Sequence, residues 1–593
     1  MTTTPAIIIF ADTGLDTATR IAEATGGEIY ICGQGGPDAL KLLPRLFSEG
    51  RPIIGVCAAG ILIRLLASSL ENKQKEPPVL AVSLGGASIV PLLGGHRGAN
   101  RLARELADEL GGHPAITTAS DSKFLHSLDE PPPGWVLGTP QDAKPAMMAL
   151  LLGAKLQIEG EAPFLAEAGY PVSSLGAVKV LVSEKKLRIE RGIVYHPRTL
   201  VAGVGCERGA DAEEVIGLID FALRQQNLAP QSLAAIASID IKADEPALLE
   251  AARHFKVPLR LFSAAELSQE RYRLRAPSDY VDQTVGTPSV AEAAALKAGP
   301  LVVEKLKSDR ATCAIGKALH PIDPETLGHR PGVLHLVGIG PGEAVSRTAA
   351  AINALEQSTD WVGYELYLDL VADLRRGQVE HRYALGEEES RVRHALELAA
   401  EGRVVSLVCS GDAQIYAMAA LAYELLDATG PRAVSEVARR VNLETHPGVS
   451  AFQAASASAG ALIGHDFCCI SLSDLLTPRA DILKRLDGAA RADFVTALYN
   501  PRSQRRTDLI EETKRIFLEH RPPSTPVIIG SNLGRPTEKV RVVRLGDFDP
   551  TEIDMLTIVM IGSSTSRTFQ RGSGAVAYTP RGYAAKSAET TST

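Results

Sequence analysis

The chain has 593 residues, more than one hydrophobic core serves, so two to four domains are expected at roughly 100–200 residues each. Hydrophobic residues make up 45% and charged residues 22%, which excludes a disordered or fibrous chain. The formal net charge of −8 excludes a surface built throughout to coat nucleic acid, while leaving room for a local basic pocket.

In chain order, short apolar runs alternate with helical patterns, the signature of α/β domains. "PAIIIFADTG" reads as a strand and "DTATRIAEATG" as a helix ending at Gly26. The opening has no basic region before its apolar run, and Asp12 follows at once, which argues against a signal peptide. No run approaches the ~18 apolar residues of a membrane span. A cytoplasmic protein that binds neither membrane nor nucleic acid is expected. "EIYICGQG" and "RPIIGVCAAG" are further strands, and "RGANRLARELADEL" is an amphipathic helix. "SLDEPPPGW" is a proline-rich break near residue 130. A strand–helix series resumes at "TLVAGVGCERGADAEEVIGLIDFAL", and the proline-rich "ALHPIDPETLGHRPG" reads as a linker. The expected organisation is an α/β domain over 1–135, a connecting module over 136–198, a second α/β domain over 199–318, a linker over 319–332, a third region over 333–583 and a disordered tail over 584–593. Seven cysteines are scattered without a Cys-x-x-Cys pair, so buried thiols are expected and no metal site.

The most informative stretch is "LHLVGIGPGEAVSRTAAAINAL", Leu334–Leu355, which reads as a strand, a glycine turn and a helix. A dinucleotide fingerprint needs Gly-x-Gly-x-x-Gly. Gly338 and Gly340 fit, but the third position falls on Glu343, whose carboxylate would repel a pyrophosphate. Pro341 also lacks the N–H that such a loop donates. In favour of a dinucleotide stands Glu365, near the place of a ribose-binding acid. The turns that follow, "SGDAQIY", "HPGVSAF" and "LYNPRSQRR", end further strands with small residues, as suits a ligand that needs close backbone approach.

Together and in this order, Gly338–Gly342, Ser410–Asp412 and Pro447–Ala451 resemble the tetrapyrrole (precorrin) methyltransferase family over roughly 331–583. "WVGYELYLDLV", "VCSGDAQIY", "ALYNPRS" and "TPRGY" are most similar to its precorrin-3B C(17)-methyltransferase branch. "PLLGGHRGANRLARELADELGGHPAITTASD", "VAGVGCERGADAEEVIGLI", "IASIDIKADEPALLEAA" and "VGTPSVAEAAAL" resemble the cobalt-precorrin-5A hydrolase family. The resemblance implies small α/β domains in the first half and a two-lobed methylase fold in the second. It implies a bifunctional corrin-ring enzyme that methylates precorrin-3B at carbon 17 with ring contraction and opens a δ-lactone with release of acetaldehyde. S-adenosylmethionine is the implied cofactor and a homodimer the implied assembly. Two alternatives stand: a first half that only binds or hands over the corrinoid, and a nicotinamide oxidoreductase.

Carried over residue by residue, the resemblance implies donor contacts at Pro341, Ser410, Gly411, Asp412, Ile415, Ser450, Ala451 and Tyr499. Asp412 and Ser450 have a plainer reading as caps. A polycarboxylate ring calls for arginines, and Arg347, Arg502, Arg505 and Arg506 are candidates, with a solvated helix face as the alternative. Ring contraction needs a base, and His446, Asp412 and Glu365 are candidates. In the first half, His96 is a candidate base, Arg97 and Lys242 candidate carboxylate ligands, and Asn100 a candidate carbonyl-polarising group. Gly95–Arg97 read plainly is a helix start.

Overall fold

The computed structural model describes residues 4–33, 36–70, 76–117, 124, 127–187, 189–502, 507–572 and 574–583. The chain divides into two compact units: 1–238 with 246–260 and 264–327, and 239–245 with 261–263 and 328–593. It is a multidomain α/β protein.

The first half builds three sheets from three successive stretches. A six-stranded sheet from Ala6 to Pro114 has parallel neighbours at Ala6–Ile9, Ile53–Val56 and Val79–Val82, all fully buried. Burial on both faces explains why these strands read as unbroken apolar runs rather than alternating ones. The helix expected to end at Gly26 spans Leu15–Thr25, and Gly26 closes it in the left-handed conformation. A four-stranded sheet spans Trp135 to Pro197, and a five-stranded sheet spans Leu200 to Lys317. The proline-rich stretch read as a linker carries a 3-10 turn at Pro324–Thr326. The buried Arg260 guanidinium donates to the Leu327 carbonyl at 2.6 Å and to Glu325.

The second unit has two lobes. In the first, Val379–Tyr383, Asp360–Tyr364, Val404–Cys409, Val333–Gly338 and Asn442–His446 lie side by side in that order, all parallel. The sheet buries Leu334, Leu336, Leu407 and Val405 against the helices Glu388–Ala400 and Met418–Asp427. Its opposite face buries Val337 and Trp361 against the helix Ala349–Gln357. In the second lobe, Phe467–Ser471, Val495–Tyr499, Thr557–Ile561, Pro526–Ser531 and Lys539–Arg544 form a mixed sheet. A three-stranded sheet of Gly460–Ala461, Gly574–Tyr578 and Arg567–Arg571 completes it.

Two helices start later than their apolar pattern suggests. After Val333–Gly338 the helix begins only at Ala349, with Thr348 as its cap accepting from Ala351 N–H at 3.2 Å. After Val404–Cys409 the helix begins only at Met418. There Tyr416 takes a positive φ of 51°, which costs a non-glycine residue energy and cannot continue a helix.

Candidate active site

Three strand ends of the parallel sheet converge. Gly340 N–H donates to the Gly411 carbonyl at 3.1 Å, and Gly411 N–H returns a bond to the Gly340 carbonyl at 2.8 Å. Gly340 sits at φ +78°, open only to glycine without strain. Gly448 then packs directly on both loops. A Cβ there would stand 2.2 Å from the Gly411 oxygen and 2.5 Å from the Gly338 oxygen. The Asp412 carboxylate locks the junction, accepting from Gln414 N–H at 2.8 Å and from Gly448 N–H at 3.1 Å. The glycines therefore serve backbone-to-backbone packing of three loops. The helix after the first loop has its Ala351 amide on the Thr348 side chain, whose hydroxyl also donates to the Pro447 carbonyl, tying the helix start to the third loop.

Beside this junction lies a cavity of about 370 Å³, within the range of small-molecule sites. It opens at the carboxyl ends of the parallel strands, the usual ligand position in such sheets. Pro341, Ser410, Gly411, Asp412, Ile415, Ala451 and Tyr499 line it. Ser450, the eighth residue of the expected donor set, is buried next to Ala451 and forms a reciprocal cap with Gln453, whose Oε1 accepts from Ser450 N–H at 3.0 Å. The second lobe adds Asn500, Asn532, Leu533 and Arg535. Tyr416, Asn500 and Asn532 all line the cavity at positive φ, and such strain gathers at functional sites.

The wall is aromatic and cationic. Tyr416 and Tyr499 rings lie 5.1 Å apart, and the Tyr416 hydroxyl donates to the Cys469 carbonyl at 2.9 Å. Burial pushes the Tyr499 phenol well up from its usual value, and its hydroxyl makes no well-formed hydrogen bond. A buried hydroxyl without a partner is costly, so a ligand atom that bonds it gains affinity. Burial raises the Cys409 thiol to about 11, which makes it an inert wall rather than a nucleophile. Arg391 is almost wholly buried, with Nη2 3.7 Å from Met418 Sδ and 3.7 Å from Glu388 Oε1. The Nε atoms of Arg391 and Arg535 are both buried without a hydrogen-bond partner.

Two of the four expected arginines, Arg347 and Arg502, are engaged elsewhere. The Arg347 guanidinium is buried and spent on Asp373 at 2.8 Å and the Leu370 carbonyl. Arg502 donates to the Pro550 carbonyl at 2.7 Å. Neither lines the cavity. Arg505 and Arg506 lie outside the described residues. Of the candidate bases, only Asp412 lines the cavity. Glu365 is exposed at the start of the short helix Glu365–Asp369, and Tyr364 and Tyr367 line the cavity in its place. His446 Nε2 is 3.0 Å from His335 Nδ1. Sequence reasoning missed Arg391, Arg535 and Glu388. Arg391 is flanked by glutamates in "EEESRVRH", which reads as a solvated helix face.

In the first half, Gly95–Arg97 forms a 3-10 turn between Gly94 and Gly98, both left-handed, and the helix Ala99–Leu110 follows. The His96 side chain lies outside the described residues. Asn100 is buried in the first turn of that helix. A second cavity of about 450 Å³ opens at the carboxyl ends of Ala6–Ile9, Ile53–Val56 and Val79–Val82, lined by Phe10, Thr13, Cys57, Ser83 and Leu84 among others. Neither Arg97 nor Asn100 is among its lining residues. Lys242 belongs to the second unit, in the turn Asp240–Lys242, and its Nζ lies 3.4 Å from the buried Glu245 carboxylate.

Three family models match the chain: "Cobalamin synthesis G N-terminal" over 41–121, "Cobalamin synthesis G C-terminus" over 200–316, and "Tetrapyrrole (Corrin/Porphyrin) Methylases" over 333–549. A precorrin-3B C(17)-methyltransferase of a Sinorhizobium species is 42% identical over 257 residues, covering 43% of this chain and 99% of that protein. A cobalt-factor III methyltransferase of Priestia megaterium is 40% identical over 255 residues, covering 43% of this chain and 46% of that protein. The chain thus spans about half the length of the first curated relatives it matches. Among solved structures, that of the methyltransferase CobJ is 38% identical over 42% of this chain and 100% of its own, with a TM-score of 0.39.

Proposed function

Because the chain belongs, through its residues from Val333 onward, to the tetrapyrrole (corrin/porphyrin) methylase family, we propose that this half transfers a methyl group from S-adenosylmethionine to carbon 17 of precorrin-3B, with contraction of the ring to precorrin-4. The observation that carries the proposal is the cavity at the junction of the 338–342, 410–412 and 447–451 loops, lined by seven of the eight residues expected to hold the donor. The cavity fits such a molecule: Gly411 lines it with no atom beyond its own chain neighbours closer than 3.9 Å to where a Cβ would stand, and the Tyr499 hydroxyl lacks a well-formed hydrogen bond. When bound, the donor supplies an electrophilic methyl on a positively charged sulfur, so the chain's task is placement. Four tyrosine rings and the Asp412 carboxylate suit a cation. Asp412 has both oxygens on backbone amides, which favours positioning over proton transfer. Arg391 and Arg535 supply the positive charge that ring carboxylates require, the role expected of Arg347 and Arg502. Glu388, beside Arg391 on the cavity wall, joins the candidate bases for the ring-contraction step.

The first half we assign to lactone opening and acetaldehyde release on a (cobalt-)precorrin-5A-type intermediate, supported by the two cobalamin synthesis G matches. Acetaldehyde released by the full chain from the lactone substrate, scored with an aldehyde-trapping reagent, tests this; a first half that only binds the corrinoid releases none. The seven free cysteines suit a reducing cytoplasm. No helix among the described residues is long and apolar enough to cross a membrane. A homodimer belongs to the same reading and is checked by sedimentation. Equilibrium dialysis tests the donor site: the chain should bind S-adenosylhomocysteine at one site per chain and bind no nicotinamide dinucleotide. The reverse outcome overturns the reading.

A further inference from the structure

The two histidines and the glutamate at the sheet edge form a second constellation, apart from the cavity lining. Parallel register sets His335 opposite Glu444 and Val337 opposite His446. Glu444 and His446, two residues apart on an edge strand, share a face, and His335 joins them from the neighbouring strand. Their ligand-capable atoms all lie within 4.8 Å of one another. His335 Nδ1 is 3.0 Å from His446 Nε2 and 3.5 Å from Glu444 Oε2. Ligands on a tetrahedral ion with metal–nitrogen bonds of about 2.0–2.1 Å stand about 3.3 Å apart, so these two spacings match edges of such a tetrahedron. Asn442 donates to Glu444 Oε1 at 2.9 Å, orienting the carboxylate so that Oε2 is the atom facing His335. An outer hydrogen bond of this kind is the usual support of a metal-bound carboxylate.

We propose that His335, Glu444 and His446 bind a divalent transition-metal ion of the zinc class, with the remaining position left to water. Two imidazole nitrogens and one carboxylate favour zinc, nickel or cobalt(II) over magnesium or calcium, which prefer all-oxygen sites. Distance in sequence hides the set: Glu444 lies 109 positions after His335, and only strand pairing unites them. The ion braces the strand Asn442–His446 against Val333–Gly338 just before Pro447–Gly448, the turn whose amide Asp412 holds. The proposal stands independently of the methyl-transfer reading.

The test uses the untagged full chain, stripped with chelator, dialysed against zinc chloride and analysed for bound metal. One zinc per chain is expected, with affinity at least tenfold weaker in both Glu444→Gln and His446→Gln. Substitution with cobalt(II) should give a visible absorption band that is lost in the same variants. Glu444 is half exposed, so its variant keeps the test decisive should His446→Gln fail to fold. Absence of zinc from the stripped and reloaded chain, or unchanged zinc binding in Glu444→Gln, overturns the proposal.

Discussion

At the scale of single residues, the cavity wall separates groups that hold the fold from groups that await a ligand. Asp412 does the first, since both of its oxygens are engaged by backbone amides. Asp412→Asn must turn an N–H₂ toward one of those amides. It should cost about 1–3 kcal/mol of stability together with donor affinity, read by thermal melting and by calorimetric titration. Tyr499 does the second. Tyr499→Phe removes a buried hydroxyl whose one backbone contact, at Phe452, falls short of a well-formed hydrogen bond. It should leave the melting temperature unchanged or raised while weakening donor binding about 5–10-fold. Loss of stability with unaltered affinity would contradict the assignment. Arg391→Gln should weaken binding of the ring substrate about 10–100-fold, as removal of a charged hydrogen-bond partner does, and should leave donor binding close to the parent value. Calorimetric titration of each ligand separately distinguishes this from a general collapse of the pocket.

At the scale of elements, the junction of three loops is the most sensitive point. Gly448→Ala puts a methyl group 2.2 Å from a backbone oxygen that cannot move without its loop. A loss of about 1–3 kcal/mol or more is expected, with loss of donor binding. Gly488, inside the helix Arg479–Arg491 with open space around it, is the control. Gly488→Ala should stabilise by about 0.5–1 kcal/mol, and urea melts compare the two. A second element-level device pins the sheet edge. Asp360 accepts from His381 at 2.9 Å and Arg403 at 3.1 Å. Burial opposes its ionisation, but hydrogen bonds from His381 and Thr359 and the charge of Arg403 outweigh it and hold the carboxyl below its usual range. A carboxylate depressed in the folded chain adds stability that is fully present above its unfolded value of about 3.9. That stability is lost as pH falls through the folded value. Asp360→Asn should therefore lower stability by about 1–3 kcal/mol at neutral pH and flatten the acid limb of a stability–pH curve; an unchanged limb would contradict it. The strands and most helices were legible because buried parallel strands are plain apolar runs and amphipathic helices carry their period. The starts at Ala349 and Met418 were not, because Thr348 capping and the positive φ of Tyr416 depend on contacts between loops rather than on local pattern. The loops that meet at the cavity were legible as glycine-rich turns. Arg391 and Arg535 were not, because nothing local distinguishes an arginine aimed into a cavity from one in solvent.

At the scale of the whole molecule, the chain joins regions matched by two cobalamin synthesis G models to a tetrapyrrole methylase region. The two ring-modifying activities proposed for one polypeptide make a common substrate class the simplest unifying expectation. The seven cysteines are free, so stability should not respond to mild reductant. The central claim is methyl transfer to the corrinoid ring. The most direct measurement incubates the full chain with precorrin-3B, or its cobalt form, and S-adenosylmethionine bearing an isotopically labelled methyl, and then analyses the macrocycle by mass and by NMR. One labelled methyl at carbon 17 of a contracted ring, abolished in Gly448→Ala, is the predicted result. An unlabelled macrocycle from both substrates, with the donor intact, would contradict the account.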